Sequence, residues 1–256
     1  MGWLRDWKRK RLLERHSLDD RMWRRVCARL PFLAGLSEDK VLRLKQMAII
    51  FLAEKEFTPV RGASLSEDER LSIALQACLP VLELGLEPYD GWVGIIVHPA
   101  DFQVRRTETD DHGVVHTWDD ELAGESWPGG PVVLSWDALE EAGSVAQGGL
   151  NVVIHEFAHM IDMADGEADG VPPLASRAAR EAWIEVFDRE FSRFCDRVDA
   201  GGQTSLDPYA AEHEAEFFAV ASEAFFESPK LLRQEFPELY ELFAGFYRQD
   251  PAARLA

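Results

Sequence analysis

Asn151-Val152-Val153-Ile154-His155-Glu156-Phe157-Ala158-His159-Met160-Ile161-Asp162 is the stretch on which the reading of this chain turns. It follows a break at Gly148-Gly149, holds no internal Pro or Gly, and is apolar enough for a core helix. On such a helix His155 and His159 stand one turn apart on the same face, so both imidazoles reach a single zinc ion. Glu156 is one residue further round. It does not readily complete the same ligand set, but it can reach a water bound to the metal, which is the position of a general base. The plainer alternative is two helix histidines satisfied by backbone or water, with Glu156 at the surface.

A hydrolytic zinc site needs a third protein ligand and a fourth position left for water. Asp165, six residues after His159, is one candidate, as in metzincin-like proteins. There a Gly at the third residue makes the sharp turn, whereas here that residue is Asp162 and no Gly occurs before Gly166. The other route is a carboxylate from a later helix, predicted over 209–227. Seven residues advance a helix by almost two turns, so Tyr209, Glu216 and Glu223 are expected on nearly the same face, lining one site. That row also suits a solvated helix face. His213 is a rival ligand, with an exposed first-turn histidine as its plainer reading.

Working outward, the 150–163 helix is followed by helical patterns over 175–197, 209–227, 229–235 and 237–248. Before it lie four candidate strands: Trp92 to His98, Phe102 to Arg106, Val114 to Trp118 and Val132 to Trp136, separated by acidic or Gly/Pro-rich turns. Val132 to Trp136 is a reasonable edge for an extended peptide, an interior strand being the alternative. The first hundred residues begin with helices, with Ser17, Ser37 and Ser66 each preceding an acid-rich turn of the N-cap kind. Strands grouped between two runs of helices predict an α+β fold, a zincin-like arrangement with a small mixed sheet between N-terminal and C-terminal helices. The expected division is an N-terminal helical region with a basic arm over 1–60 and a catalytic domain over 61–256, packed as one compact unit.

The chain has 256 residues, 27 basic and 46 acidic, for a formal charge of −19. Residues 1–31 hold ten Lys or Arg against four acids, which leaves the rest with 17 against 42, a charge of −25. Such a body repels phosphates, so direct nucleic acid binding is not expected, while cationic or amine-bearing partners are favoured. The basic start, Trp3-Leu4 through Lys8-Arg9-Lys10-Arg11, suits an anionic membrane surface or an acidic partner. Its plainer reading is a solvated, partly frayed arm. No apolar run approaches the ~20 residues of a membrane span. Three widely separated cysteines, Cys27, Cys78 and Cys195, and no signal-peptide pattern point to a reduced, cytoplasmic protein.

His155-Glu156-Phe157-Ala158-His159 with Asp162, Asp207-Pro208-Tyr209-Ala210-Ala211, Ala215 to Val220 with Ser222-Glu223 and Phe225-Phe226, and the tail Phe246 to Pro251 together resemble the Mlc titration factor A family of bacterial zinc peptidases. Weaker matches at Ala77 to Pro80 and Val133 to Trp136 extend the resemblance over roughly residues 65 to 251, whereas the first 60 residues match the family pattern poorly. The resemblance implies a gluzincin-like site in which His155, His159 and Glu216 bind one zinc ion and Glu156 activates the water. It makes Tyr209 the phenol that steadies the oxyanion, similar to a role in the catalytic domain of anthrax lethal factor, whose core this family resembles. Where thermolysin-type gluzincins often carry an Asp four residues after the glutamate ligand, this chain has Val220, so Asp162 or Glu223 is expected to orient a ligand histidine instead. The resemblance further implies aminopeptidase action on short peptide or amino-acyl substrates and binding of a repressor of the Mlc type. An exopeptidase must also hold a free α-ammonium, for which Glu212 and Glu223 are candidates by proximity. Two other functions fit the residues: a regulatory protein that titrates a transcription factor with a non-catalytic zinc site, and a metal hydrolase acting on something other than peptides.

Overall fold

A computed structural model describes residues 2–60, 64–98, 102–109, 115–122, 124–126, 129–135 and 151–255, with backbone alone at residue 2 and over 102–109, 115–122 and 124–126. The chain opens with helices α1 (Gly2–Arg15), α2 (Asp20–Cys27) and α3 (Glu38–Glu54), then strand β1 (Glu56–Pro59) and helix α4 (Glu67–Cys78). Five strands follow: β2 (Gly94–His98), β3 (Phe102–Thr109), β4 (Val115–Leu122), β5 (Gly124–Ser126) and β6 (Val132–Ser135). The C-terminal part is helical, with α5 (Val152–Asp162), α6 (Arg177–Asp199), α7 (Glu214–Glu227), α8 (Pro229–Glu235), α9 (Pro237–Tyr247) and the single turn α10 (Pro251–Arg254). This is an α+β fold with a small mixed sheet set between two groups of helices.

Local chemistry sets the starts of the early helices. The Ser66 side chain accepts from Glu69 N while Glu69 returns a bond to Ser66 N, a reciprocal capping box that opens α4. Ser37 caps α3 in the same sense. Ser17 does not cap α2. Asp19 takes that place, its Oδ1 accepting from Arg21 N and Met22 N at 3.0 and 2.8 Å, so the helix starts two residues later than the serine suggests.

The main sheet has the order β1-β2-β6-β5, parallel from β1 to β6 and antiparallel between β6 and β5. β1, which the sequence reading had not assigned, pairs Phe57 with Ile95 and runs into α4, the crossover that returns the chain to β2. β6 is buried along its whole length, as its Val-Val-Leu run suggests for an interior strand. The expectation of a free edge at Val132 to Trp136 is therefore corrected: β6 is flanked on both sides, β5 lies beyond it, and Trp136 falls outside the described residues. β3 and β4 form a separate antiparallel hairpin, longer than the candidates Phe102 to Arg106 and Val114 to Trp118.

α5 is buried on nearly every side, His155 alone among its residues being half-buried. On one flank Phe157 packs with Phe51, Tyr89 and Trp92, ring centroids 5.1–5.8 Å away. A second aromatic group, with Trp183 and Phe187 of α6, Phe217 and Phe218 of α7 and Phe243 of α9, lies beyond α7. The buried apolar residues run in one cluster from Val26 to Ala252, so the N-terminal helices and the residues after 61 share a core.

α1 corrects the reading of a frayed arm. Arg9 makes a two-pronged pair with Glu54, at 3.0 and 2.9 Å, and a further bond to Asp90 at 3.2 Å. Arg5 bonds Asp90 and Glu87. The acidic partner of these two cations is thus the protein's own body.

Candidate metal centre

The geometry of the site begins at Asn151, the cap of α5. Its Oδ1 accepts from Ile154 N at 3.0 Å, satisfying one of the open donors at the helix start. Its backbone N donates to Glu223 Oε2 at 2.6 Å, and its Nδ2 donates to Gln76 Oε1 at 2.8 Å and Glu227 Oε1 at 2.6 Å. The start of α5 is thereby tied to α4 and α7 together. Sequence reasoning missed Asn151, Gln76 and Glu227, although a capping-type residue directly before the apolar run was a usable signal for the first.

Glu216 and Glu223, two turns apart on α7, approach His155 from opposite sides. Glu223 Oε1 lies 2.7 Å from Nδ1, and Glu216 Oε2 lies 3.1 Å from Nε2. An ionised carboxylate only accepts, so the Nδ1 facing Glu223 carries a proton, and Nε2 is the nitrogen left for a metal, which would take the place of the second proton. His159 Nε2 stands 3.1 Å from His155 Nε2 and 3.4 Å from Glu216 Oε2. Three donor atoms therefore converge at 3.1, 3.1 and 3.4 Å. Ligands about 2.0–2.1 Å from one tetrahedral ion are separated by about 3.4 Å, so His155, His159 and Glu216 fit a metal without rearrangement.

The electrostatics point the same way. Burial pushes the Glu216 carboxyl up, yet its hydrogen bonds with His155 and His159 outweigh that and hold it well below the usual carboxylate range. Burial works against the charged form of His155, but the bonds to Glu216 and Glu223 raise it well above the ordinary imidazole value. Two ring nitrogens and a carboxylate facing one another thus gather around a position that favours positive charge.

Glu156 is buried, directly after the first ligand. Tyr209 reaches the same site by a different route from the one predicted. The helix expected over 209–227 is broken: Pro208–Ala211 form a short 3-10 turn capped by Asp207, whose Oδ1 accepts from Tyr209 N at 2.9 Å, and α7 begins only at Glu214. Tyr209 is therefore not on the face of Glu216 and Glu223, although its ring centroid lies 6.4 Å from that of His155. His213 is the reason for the break. Its exposed ring caps α7, Nδ1 accepting from Ala215 N at 3.1 Å, so it is not gathered with the donor set.

Asp165 lies exposed in the turn Met163–Asp165 that ends α5, outside the group of converging donors. Asp162 is fully buried, its Oδ2 accepting from Gly170 N at 2.8 Å; His159 is near enough to favour its charged form, but no hydrogen bond joins it to either histidine among the described residues. Of the two residues expected to orient a ligand histidine, the structure brings Glu223 to a ring nitrogen. Both Glu223 oxygens are engaged, by His155 and Asn151, and the residue is buried, whereas Glu212 is exposed.

Comparison with known proteins agrees with this geometry. The family described as glucose-regulated metallo-peptidase M90 matches residues 4–248, which corrects the expectation that the first 60 residues fit the family poorly. A protein named Mlc titration factor A from Cronobacter sakazakii is 40% identical over 229 residues, covering 88% of this chain and 85% of its own. Its namesakes from Yersinia pestis and Yersinia pseudotuberculosis are also 40% identical over 229 residues, covering 88% of this chain and 84% of theirs. With a donor set built for a metal ion and a match over nearly its whole length, this chain belongs to the M90 family of glucose-regulated metallo-peptidases.

Proposed function

We propose that the chain is a zinc-dependent peptidase, an aminopeptidase on short peptide or amino-acyl substrates. The observation that carries this reading is the set His155, His159 and Glu216 at 3.1–3.4 Å, with Glu156 next to the first ligand on the same helix. Two imidazoles and one carboxylate, leaving a fourth position, are the donor chemistry of hydrolytic zinc. Zinc held by these three residues would supply a Lewis acid for the scissile carbonyl and would acidify the attacking water. Glu156 accepts the proton of the attacking water and passes it to the leaving amine. Tyr209, held by its Asp207-capped turn, donates its phenolic proton in a hydrogen bond to the carbonyl oxygen as charge develops there. Glu223 fixes the ring of His155.

The test is hydrolysis of a panel of chromogenic amino-acid and short-peptide anilides by the zinc-loaded chain, beside Glu156→Gln. The expected outcome is turnover by the parent and a loss of at least about 100-fold in the variant, with zinc content unchanged. Equal turnover by both refutes the assigned base.

The second reading is a regulatory protein that titrates a transcription factor. It is favoured by the name of the relatives, Mlc titration factor A, and places a repressor of the Mlc type among the partners. Binding of such a repressor by Glu156→Gln as strongly as by the parent, with no turnover by either, selects this reading. Under both, the chain works in the cytoplasm, with the 1–60 region and the metal-site part over 61–256 as one unit.

A further inference from the structure

α1 sorts its side chains by face. At 3.6 residues per turn, Arg5, Arg9 and Leu13 turn toward the body, the two arginines onto Glu54, Glu87 and Asp90 and the leucine against the core. The opposite face exposes Trp3, Leu4 and Trp7, at 70%, 49% and 47% of their full area. Lys8, Lys10 and Arg11 stand exposed beside them. The Arg11 guanidinium lies 4.3 Å from the Trp7 ring centre, and none of these three cations has an ion pair among the described residues. The exposed acids of this helix are Asp6 on its flank and Glu14 at its far end, next to Arg15.

We propose that this outer face of α1 docks the protein on an anionic lipid surface. The charge complementarity is local. The acids behind α1 are already paired with Arg5 and Arg9, and a helix diameter of about 10 Å separates them from the outer face, more than the screening length of about 8 Å at physiological salt. The make-up of the face selects the occupant: exposed indoles and a leucine flanked by exposed cations, along a strip about 21 Å long, match the chemistry of an anionic headgroup layer. Indole rings lodge at its boundary with the acyl chains, and Lys and Arg stems reach up to the phosphates. No helix of the described residues is long and apolar enough to cross a membrane, so the contact is peripheral.

The experiment is flotation of the full chain with vesicles of phosphatidylcholine alone or with about 30% phosphatidylglycerol, at about 50 mM and about 500 mM salt. The expected result is binding to the anionic vesicles at low salt, release at high salt and no binding to the neutral ones. Trp3→Ser with Trp7→Ser keeps the charge, and Lys8→Gln with Lys10→Gln and Arg11→Gln keeps the apolar row. Each set is expected to lower partitioning at least about tenfold. All five positions are exposed, so thermal unfolding is expected to stay with that of the parent; a set that unfolds is replaced by Leu4→Asn alone, read against the same threshold. Absence of binding to anionic vesicles, equal binding to neutral ones, or partitioning unchanged in both sets overturns the proposal. So does a photo-crosslinker at position 7 that gives a discrete protein adduct in cells while vesicles are not bound, which assigns the face to an acidic protein.

Discussion

Asp162 shows how far a single carboxyl can depart from its ordinary chemistry. It is sealed in the interior, where burial is the largest influence and pushes it up to about 7, against a lesser downward pull from the Gly170 N–H. Its folded value is raised above the unfolded one, so its favourable contribution is fully present below about pH 4 and is lost as pH rises through about 7. The predicted outcome in chelator-treated protein is a fall of a few kcal/mol in urea-unfolding stability across that window. Asp162→Asn flattens the fall. Glu227, likewise pushed up to about 7 by burial, and Glu223, also raised by burial, contribute with the same sign to what remains. A pH profile of Asp162→Asn parallel to that of the parent contradicts the assignment.

Glu216 is the residue that completes the donor set. Glu216→Ala is predicted to weaken zinc binding by at least about 100-fold and to abolish anilide hydrolysis, whereas Asp165→Ala leaves zinc stoichiometry at the parent value. Competition with a chromophoric chelator measures both. The reverse pattern would move the third ligand to the turn after α5. At this scale the common face of His155 and His159 was legible because one helical turn is a fixed distance, and that of Glu216 and Glu223 because two turns nearly are, whereas the choice of Glu216 as third donor came from the family resemblance. The Gly170 N–H as the partner of Asp162 was not legible, since spacing alone does not reveal which backbone group a following loop brings to the carboxyl.

Among the elements, α5 and α7 form the frame of the site, and Asn151 joins them. One side chain caps α5, touches Gln76 and Glu227, and through its backbone N holds the carboxylate that grips His155. Asn151→Ala is predicted to cost about 1–2 kcal/mol in denaturant unfolding for the lost cap, and to lower zinc affinity roughly tenfold through a looser Glu223. Asn151→Asp, which restores the cap acceptor but sets a third carboxylate beside Glu223 and Glu227, is expected to recover less than half of the stability at neutral pH. The start of α7 was misread for a related reason. Hydrophobic periodicity runs smoothly through 209–227, yet Asp207 with Pro208 favours a tight turn, and the His213 ring takes the capping role that periodicity cannot register. β1 escaped notice because Glu56 to Pro59 is a short, half-exposed stretch that becomes a strand only by pairing with β2. Gly170 shows a similar dependence on tertiary context. Its φ of +74° and a hypothetical Cβ only 2.6 Å from the Phe187 ring and 2.9 Å from Glu214 O leave no room for another residue, and nothing in the local sequence says so.

For the molecule as a whole, the charge asymmetry visible in the composition finds a structural outlet. A body of formal charge −25 draws in the cationic inner face of α1, and the pair of Arg9 with Glu54 is its best-formed tie, half-buried and two-pronged. The sequence made the asymmetry plain but not its use, because which carboxylates meet which cations depends on how α3 and the loop before β2 pack. Arg9 also faces Glu87 and Asp90, so removing it leaves three acids close together, two of them paired with Arg5 and with Lys55 nearby. Arg9→Gln is accordingly predicted to destabilise the fold by about 1–2 kcal/mol, more than an exposed pair is worth, and Glu54→Gln by less. In a double-mutant cycle the two positions couple by about 1 kcal/mol at low salt, and the coupling shrinks in about 0.5 M NaCl as screening replaces the tie. Urea unfolding of the four proteins at both salt concentrations measures it. A coupling near zero at low salt would mean that the Arg9–Glu54 pair adds nothing to the hold on α1, which then rests on the other ties to Glu87 and Asp90 and on the packing of Leu13.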